Sequence, residues 1–585
     1  MRISKLRFPL VGESISRGTS RKWRSGDNFW QDTDSNSSGR INFSRIYIFY
    51  AVTFLIVLVF LARLFGLTVV AGEENRSLSE NNRIQLVEQE ALRGRIFDRN
   101  GILLASSSRT FILEKDKKRV EISEAQVKDL EEHGLASENF EGELGRIYED
   151  VKRKYTLLAA GAHVLGYTSA YQAGDNTAVN NQSHTQAVGR LGLEETYNDF
   201  LTGKVGKKLI EVDTFGKKVS ILGKEDAVDG RDVYITLDSE LQKVTYEALK
   251  KQAEKVGTKR GAVVVENPQT GEILAFVSTP SFNPEDIGNA VSNPDKPFFN
   301  RAMQGTYPPG SIFKIVTALS GLEIGAVNRD SEIEDVGEFS IGQTKFSNWY
   351  FNQYGRKEGI LKIERAISRS NDIFFYKVAQ MVGLENLRKM AIKLGFGQKT
   401  GIDLPSEAIG LVPDEVWKKS AYGESWFLGD TMHMGIGQGF MLTTPIQVNS
   451  MTSFVASGKL VKLYLVSKID SGNQVPINLG GKVLAENLVS AQNLNLVKQG
   501  MKMACANGGT GWPFFDAPYS VACKTGTAEK TLGNPHAWFT AFAPFENPKI
   551  AITVLIEDGG EGSSIAGPVA REVMDWWMGH RAKSN

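Results

Sequence analysis

Three short segments carry residues that could do covalent chemistry together. Ser311-Ile312-Phe313-Lys314 sets a hydroxyl and an amine three positions apart. The preceding Tyr307-Pro308-Pro309-Gly310 reads as a helix entrance, because proline is tolerated there and disrupts a helix interior; this predicts a helix from about Ser311. Three residues along a helix turn the side chain by about 300° and rise roughly 4.5 Å, so both groups share one face. An amine that has lost its proton there can take the hydroxyl proton and leave a nucleophilic alkoxide. Lys524-Thr525-Gly526-Thr527 puts a cation and two hydroxyls around a glycine, after the apolar run Val521-Ala522-Cys523, as a strand edge that receives a peptide carboxylate would. Between them, Ser370-Asn371-Asp372 precedes Ile373-Phe374-Phe375-Tyr376. Each segment has an ordinary reading when taken alone: a helix start on a solvated face, a turn, a helix cap. Their occurrence as an ordered set of three is what argues for chemistry.

In that order the segments resemble the S-x-x-K, S-x-N or S-x-D, and K-T-G signature of penicillin-binding proteins and related β-lactamases. The resemblance runs further. Arg93-Gly94-Arg95-Ile96-Phe97-Asp98-Arg99-Asn100-Gly101, followed by Leu103-Leu104-Ala105, is similar to the R-G-x-I-x-D-R-N-G-x-x-L-A segment of the class B, monofunctional members. Gly189 to Glu194 and Leu201-Thr202-Gly203 resemble their G-x-x-G-L-E and L-x-G segments, and Asn267 to Ala275 their first transpeptidase hairpin. Gly435-Ile436-Gly437-Gln438-Gly439 and Thr444-Pro445-Ile446-Gln447 resemble their G-x-G-Q and T-P-x-Q block; a nucleotide loop is rejected there, since no Val/Ile-rich strand precedes the glycines and no ribose-binding acid follows. Together the matches run from about residue 93 to 580.

The resemblance assigns the acyl acceptor role to Ser311, at a helix N-terminus that favours developing negative charge. Lys314 would be the base, kept neutral by burial or by a nearby cation, which Lys524 could supply. Ser370 would relay a proton between the lysine and the leaving amine. Asp372 stands where many relatives have Asn and would help hold the substrate amide. Lys524, Thr525, Gly526 and Thr527 would bind the terminal carboxylate, with the backbone N–H groups of Ser311 and Thr527 as oxyanion hole. The implied reaction is two-step acyl transfer: release of D-alanine from a pentapeptide stem, then attack by a neighbouring strand's amine, with penicillin acylating Ser311 as a substrate analogue. Neither metal nor cofactor is called for. The six histidines show no H-E-x-x-H pattern and read as satisfied structural residues. Cys505 and Cys523 lack a framework pattern and read as free, buried thiols rather than a bonded pair.

The chain has 585 residues, 41% of them hydrophobic, enough for two to three folded units. Its net charge of +1 offers no global attraction to nucleic acid. The first 45 residues carry nine Lys or Arg against four acids, without apolar periodicity, and read as a disordered tail at 1–45. Ile46 to Ala62 is seventeen residues without a charge, just long enough to cross a bilayer with flanking arginines snorkelling, so a transmembrane helix is expected over 46–64. The basic excess before it predicts a cytoplasmic N-terminus, with the rest outside the inner (cytoplasmic) membrane.

Residues 65–228 are expected to form a non-catalytic pedestal, helical over the charged stretch Val120 to Lys154. Residues 229–585 are expected to form the transpeptidase domain. That domain is predicted as α+β: one antiparallel sheet built from both ends, with helices on its faces and a terminal helix at Pro568–Trp577. The interval from Arg95 to Lys154 is short for elongation-type members, which implies a reduced pedestal head. The resemblance implies a peptidoglycan D,D-transpeptidase acting on stem peptides and inhibited by β-lactams. A SEDS-family glycosyltransferase and elongation-complex scaffold proteins are its implied partners. His536 to Pro544 and the S-x-D variant resemble the elongation type; a division-type enzyme, or an anchored β-lactamase or D,D-carboxypeptidase, are the alternatives.

Overall fold

The computed structural model describes residues 43–116, 118–133, 135–137, 144–172, 187–213, 218–470, 475–530 and 532–581. Residues 1–42 of the N-terminal tail expected to be disordered, and His184, lie outside them, while residues 43–45 of that tail are helical. The described residues fall into two compact units, divided after Asn81.

In the first unit, helix α1 (Phe43–Phe65) continues into a π-helical turn at Gly66–Val70. The apolar stretch long enough to cross a membrane is Ile46–Val70, 25 residues with no buried side chain. It is longer than the segment expected from sequence, because the helix continues past Arg63 into Leu64-Phe65-Gly66-Leu67.

The pedestal part of the second unit is mostly strand. Leu103–Lys115 pairs antiparallel with Gly145–Tyr155 along most of its length and with Lys118–Ile122 at its far end. The helix expected over 120–154 is therefore reduced to Glu124–Glu132, started by a Ser123/Gln126 capping box. Residues 145–148 alternate between buried and exposed, with Gly145 and Ile147 buried, and cross-strand pairing outweighs helix propensity there. Two of the segments that suggested the family meet in a buried ion cluster. Arg93 pairs with Glu194, and Arg153 Nε donates to Glu194 at 2.8 Å. Burial alone would push the Glu194 carboxyl up, but Arg153 and Arg93 outweigh it and hold it below the usual range.

The strand Val233–Ile235 joins pedestal to catalytic part, running parallel to Ile96–Phe97 on one side and antiparallel to Val466–Ile469 on the other. Beyond it lies the central antiparallel sheet: β1 (Gly261–Glu266), β2 (Ile273–Thr279), β3 (Ala522–Ala528), β4 (His536–Ala543) and β5 (Ile550–Ile556), in the order β2-β1-β5-β4-β3. Both chain ends of the domain build it, as expected. Its strands are buried along nearly their whole length because both faces are covered. Phe539, Ala541, Ile552 and Val554 pack with α2 (Ser239–Lys255) and the terminal helix, which runs from Gly562 to His580. Trp538, Phe542, Ala551 and Leu555 face a layer containing α3 (Lys314–Glu323), α4 (Asp372–Lys393), α5 (Leu428–Gly435), α6 (Pro445–Ser457) and α7 (Ala491–Ala504).

The two cysteines are not free. Cys505, at the end of α7, and Cys523, in β3, form a disulfide with Cα atoms 5.8 Å apart. The packing of α7 against β3 brings them together, which no local sequence pattern signals. A Cβ on Gly511 would lie 2.4 Å from Cys523 Sγ, so the intervening loop closes directly over the bridge.

Candidate active site

The Tyr307–Gly310 turn is held against the sheet edge. Trp538 Nε1 in β4 donates to the Pro308 carbonyl at 3.0 Å, and Gly310 N donates to Gly437 O at 2.9 Å. Gly310 has φ +54°, and a Cβ there would lie 2.7 Å from Thr527 O; one on Gly437 would lie 2.1 Å from Gly310 O. Only glycine lets these backbones approach so closely. The turn continues as a 3₁₀ segment, Gly310–Phe313, and α geometry begins at Lys314 rather than at Ser311 as expected. A 3₁₀ turn eclipses positions i and i+3, so it aligns Ser311 with Lys314 more directly than an α-helix would.

Ser370 lies in the break between the helix Ile363–Arg369 and α4, in the left-handed region at φ 53°. Such a conformation costs a non-glycine residue about 1–2 kcal/mol. It is fixed from the next residue, whose side chain caps α4: Asn371 Oδ1 accepts from Phe374 N at 2.9 Å, and Asn371 Nδ2 donates to Asp335 at 3.0 Å. The break turns the Ser370 hydroxyl toward two amines, both fully buried. Lys524 Nζ donates to Ser370 Oγ at 2.8 Å, and Lys314 Nζ lies 3.4 Å from the same oxygen. Lys524 comes from β3, where strand alternation carries its side chain to the helical face while Thr525 and Thr527 point the other way. Thr525 Oγ1 donates to Thr510 Oγ1 at 2.9 Å, and Thr527 Oγ1 accepts from Gly562 N at 3.4 Å.

Asp372 differs from expectation. In place of an oxygen left free for a substrate amide, Oδ1 accepts from Lys314 Nζ at 2.6 Å and Oδ2 from Trp349 N at 2.8 Å. It is the charge partner of Lys314. Burial pushes the Lys314 amine below the usual lysine value, and Asp372 opposes this. Lys524 is pushed well below it, by burial first and then by the charge on Lys314, again against Asp372. The two amines are close enough for each to disfavour the other's charge, an effect that is reciprocal. Lys314 has the Asp372 carboxylate beside it at 2.6 Å, whereas Lys524 Nζ donates to the Ser370 hydroxyl and the Thr525 carbonyl.

A cleft of about 810 Å³ opens over these groups, lined by Ser311, Ser370, Asp372, Thr525, Gly526 and Thr527. All eight residues singled out from the sequence therefore meet at one place, six on the cleft wall and the two lysine amines immediately behind it. The cleft also takes in residues that sequence reasoning missed as site residues: Trp349, Tyr376, His433, Gln438, Thr510 and Glu529. Gln438 was legible as part of the glycine-rich segment, and its Nε2 donates to Thr527 O at 3.3 Å. The others belong to no motif. His433 corrects the reading of all histidines as structurally satisfied: no hydrogen bond engages its ring among the described residues, whereas buried His163 Nε2 lies 2.8 Å from Pro297 O.

Residues 261–575 match the family model described as the penicillin binding protein transpeptidase domain, and 114–235 match the penicillin-binding protein dimerisation domain. This chain belongs to the penicillin-binding protein family. The Escherichia coli (strain K12) protein named peptidoglycan D,D-transpeptidase MrdA is 31% identical, over 89% of this chain and 92% of its own. Among solved structures, the Helicobacter pylori penicillin-binding protein PBP2 in complex with MreC is 28% identical with a TM-score of 0.71, covering 85% of this chain and 99% of that one. A chain from the structure titled "Structural coordination of polymerization and crosslinking by a peptidoglycan synthase complex" is 27% identical with a TM-score of 0.72, covering 93% and 99%. The chain combines a transpeptidase domain with a dimerisation (pedestal) domain, and its N-terminal apolar helix is long enough for a single-pass membrane anchor.

Proposed function

We propose that this class B penicillin-binding protein is an elongation-type peptidoglycan D,D-transpeptidase in which Ser311 forms the acyl-enzyme. The observation that carries the residue roles is the Ser370 hydroxyl shared between the Lys314 and Lys524 amines. In the empty site the proton rests on Lys314 beside Asp372. A stem peptide ending in D-alanine brings a carboxylate to Lys524, Thr525 and Thr527, which favours the charged form of Lys524. The proton then moves from Lys314 to Lys524 through Ser370. Neutral Lys314 takes the Ser311 proton, Ser311 attacks the penultimate carbonyl, and the backbone N–H groups of Ser311 and Thr527 hold the oxyanion. Ser370 returns a proton to the departing D-alanine amine.

In this reading residues 65–228 are the pedestal and 229–585 the transpeptidase domain. The N-terminus is cytoplasmic and the catalytic part lies across the inner (cytoplasmic) membrane, supported by the basic excess ahead of Ile46. A SEDS-family glycosyltransferase supplies the glycan, and a scaffold protein of the MreC kind engages the same assembly, supported by the company its structural relatives keep.

The test is mass spectrometry of the intact protein after labelled penicillin, with the acylated peptide mapped. One adduct on Ser311 is expected, and a folded Ser311→Ala protein should carry none. Stoichiometric labelling of that variant would overturn the assignment.

A further inference from the structure

Acyl transfer has two half-reactions, and Ser311, Lys314, Ser370 and Lys524 account for the first. The second needs an amine from another stem peptide, which arrives in neutral water as an ammonium ion. It must be drawn to the acyl-enzyme and must lose a proton before it can attack.

Glu529 follows the end of β3 directly and lines the cleft that holds Ser311. Its carboxylate is exposed and makes no hydrogen bond or ion pair among the described residues. His433, on α5, lines the same cleft. Its ring packs against Phe346 with centroids 5.2 Å apart and edge-on to Tyr376 at 6.2 Å. Burial lowers its pKa from the ordinary imidazole value, with Asp430 and Glu529 opposing, so it is neutral at neutral pH and able to accept a proton. The Glu529 charge also reaches the Tyr376 phenol on α4. The other charges around the cleft are committed: Asp430 accepts from Lys418 Nζ at 2.7 Å, Lys345 pairs with Glu338 at 2.6 Å, Asp372 with Lys314, Arg369 with Glu358, and Glu561 accepts from the Ser563 and Ser564 hydroxyls. Glu529 is the carboxylate of this group left free to meet an incoming cation.

We propose that Glu529 and His433 form the acceptor subsite, Glu529 binding the ammonium group of the second stem peptide and His433 removing its first proton. The assignment rests on the D,D-transpeptidase reading. The ammonium nitrogen gives one proton to the His433 ring and becomes a neutral amine. Its lone pair forms the new amide bond to the acyl carbon while the bond to Ser311 Oγ breaks. The second nitrogen proton passes to Ser311 Oγ through Ser370 and Lys314, and His433 returns its proton to water.

The test uses the full-length protein in detergent micelles, a soluble pentapeptide ending in D-Ala-D-Ala as donor, and two acceptors at pH 7.5. 1,5-Diaminopentane is cationic, whereas hydroxylamine is an uncharged nucleophile. Acylation by fluorescent penicillin precedes acceptor arrival and serves as the folding control. Glu529→Gln is expected to raise the KM for the diamine about tenfold, and His433→Gln to lower the rate of diamine transfer about a hundredfold and shift its pH profile to the alkaline side. Transfer to hydroxylamine should stay within about twofold of the parent in both. If the two acceptors fall in parallel, or neither changes, the subsite is overturned. If the unmutated protein is not acylated by the donor, the transpeptidase reading itself fails, a result separate from either.

Discussion

Lys524 Nζ and Ser370 Oγ stand 2.8 Å apart in a site where both the β3 lysine and the Ser-x-x-Lys lysine are fully buried. This contact makes Ser370 the bridge between two buried amines whose charges depend on one another, Lys314 paired with Asp372 at 2.6 Å and Lys524 pushed well below the usual lysine value by burial and by the neighbouring amine.

The two lysines should respond differently to a permanent charge. Lys314→Arg is expected to lower the rate of penicillin acylation by about two orders of magnitude or more, since a guanidinium cannot be deprotonated. Lys524→Arg should lower it less, because the charge that meets the substrate carboxylate survives. A fixed cation there also makes Lys314 easier to deprotonate. Acylation needs neutral Lys314 and is lost as pH falls through its pKa, so the acid limb of the Lys524→Arg profile should lie at lower pH than the parent's. Stopped-flow acylation across pH checks both; the opposite ranking of rates would exchange the two roles.

Glu266, sealed in the core at the end of β1, makes stability fall with pH. Burial pushes its carboxyl up to about 8, with Asn449 Nδ2 donating to Oε2 at 2.8 Å and Oε1 unpartnered among the described residues. A folded-state pKa raised above that of the unfolded chain gives stability that is complete at low pH and lost as pH rises toward 8. The slope can reach about 1.4 kcal/mol per pH unit in that window. Glu266→Gln should flatten it, and the variant should gain on the parent as pH rises. Chemical denaturation at several pH values reads this directly, and equal slopes for the two proteins would contradict it.

The Cys505–Cys523 bridge closes a loop that carries Thr510 and Trp512 to the cleft. The bonded residues are 18 apart, and closing a loop of that size constrains the unfolded chain by about 3 kcal/mol. Replacing both cysteines by serine is expected to lower the melting temperature by several degrees. Freeing the Thr510 contact with Thr525 should also slow acylation several-fold. An unchanged melting curve under oxidising conditions would mean that the bridge contributes no stability.

Anchor and chemistry should be separable. Every candidate catalytic residue lies beyond residue 300, while the apolar span is Ile46–Val70. Exchanging that span for an unrelated one should leave penicillin binding near normal but impair wall growth and co-purification with a glycan polymerase. Normal growth and co-purification would reduce the span to a tether and leave the pedestal to carry the partnership.

The candidate site residues, their order along the chain and the central sheet were legible in the sequence. Each rests on local physics: prolines before Ser311, apolar runs that pair as hairpins at both ends of the domain, an uncharged run long enough to cross a bilayer. The charged pedestal stretch misled because its strands are chosen by pairing with Leu103–Lys115, not by propensity. What tertiary structure alone decided is who meets whom. It gave Asp372 to Lys314, joined two cysteines that no pattern paired, and opened the cleft to His433 and Glu529, which belong to no motif. Sequence spacing reports which face of one helix or strand a residue occupies. Protonation, by contrast, depends on burial and on charges brought in from other elements, and only the packed fold supplies those.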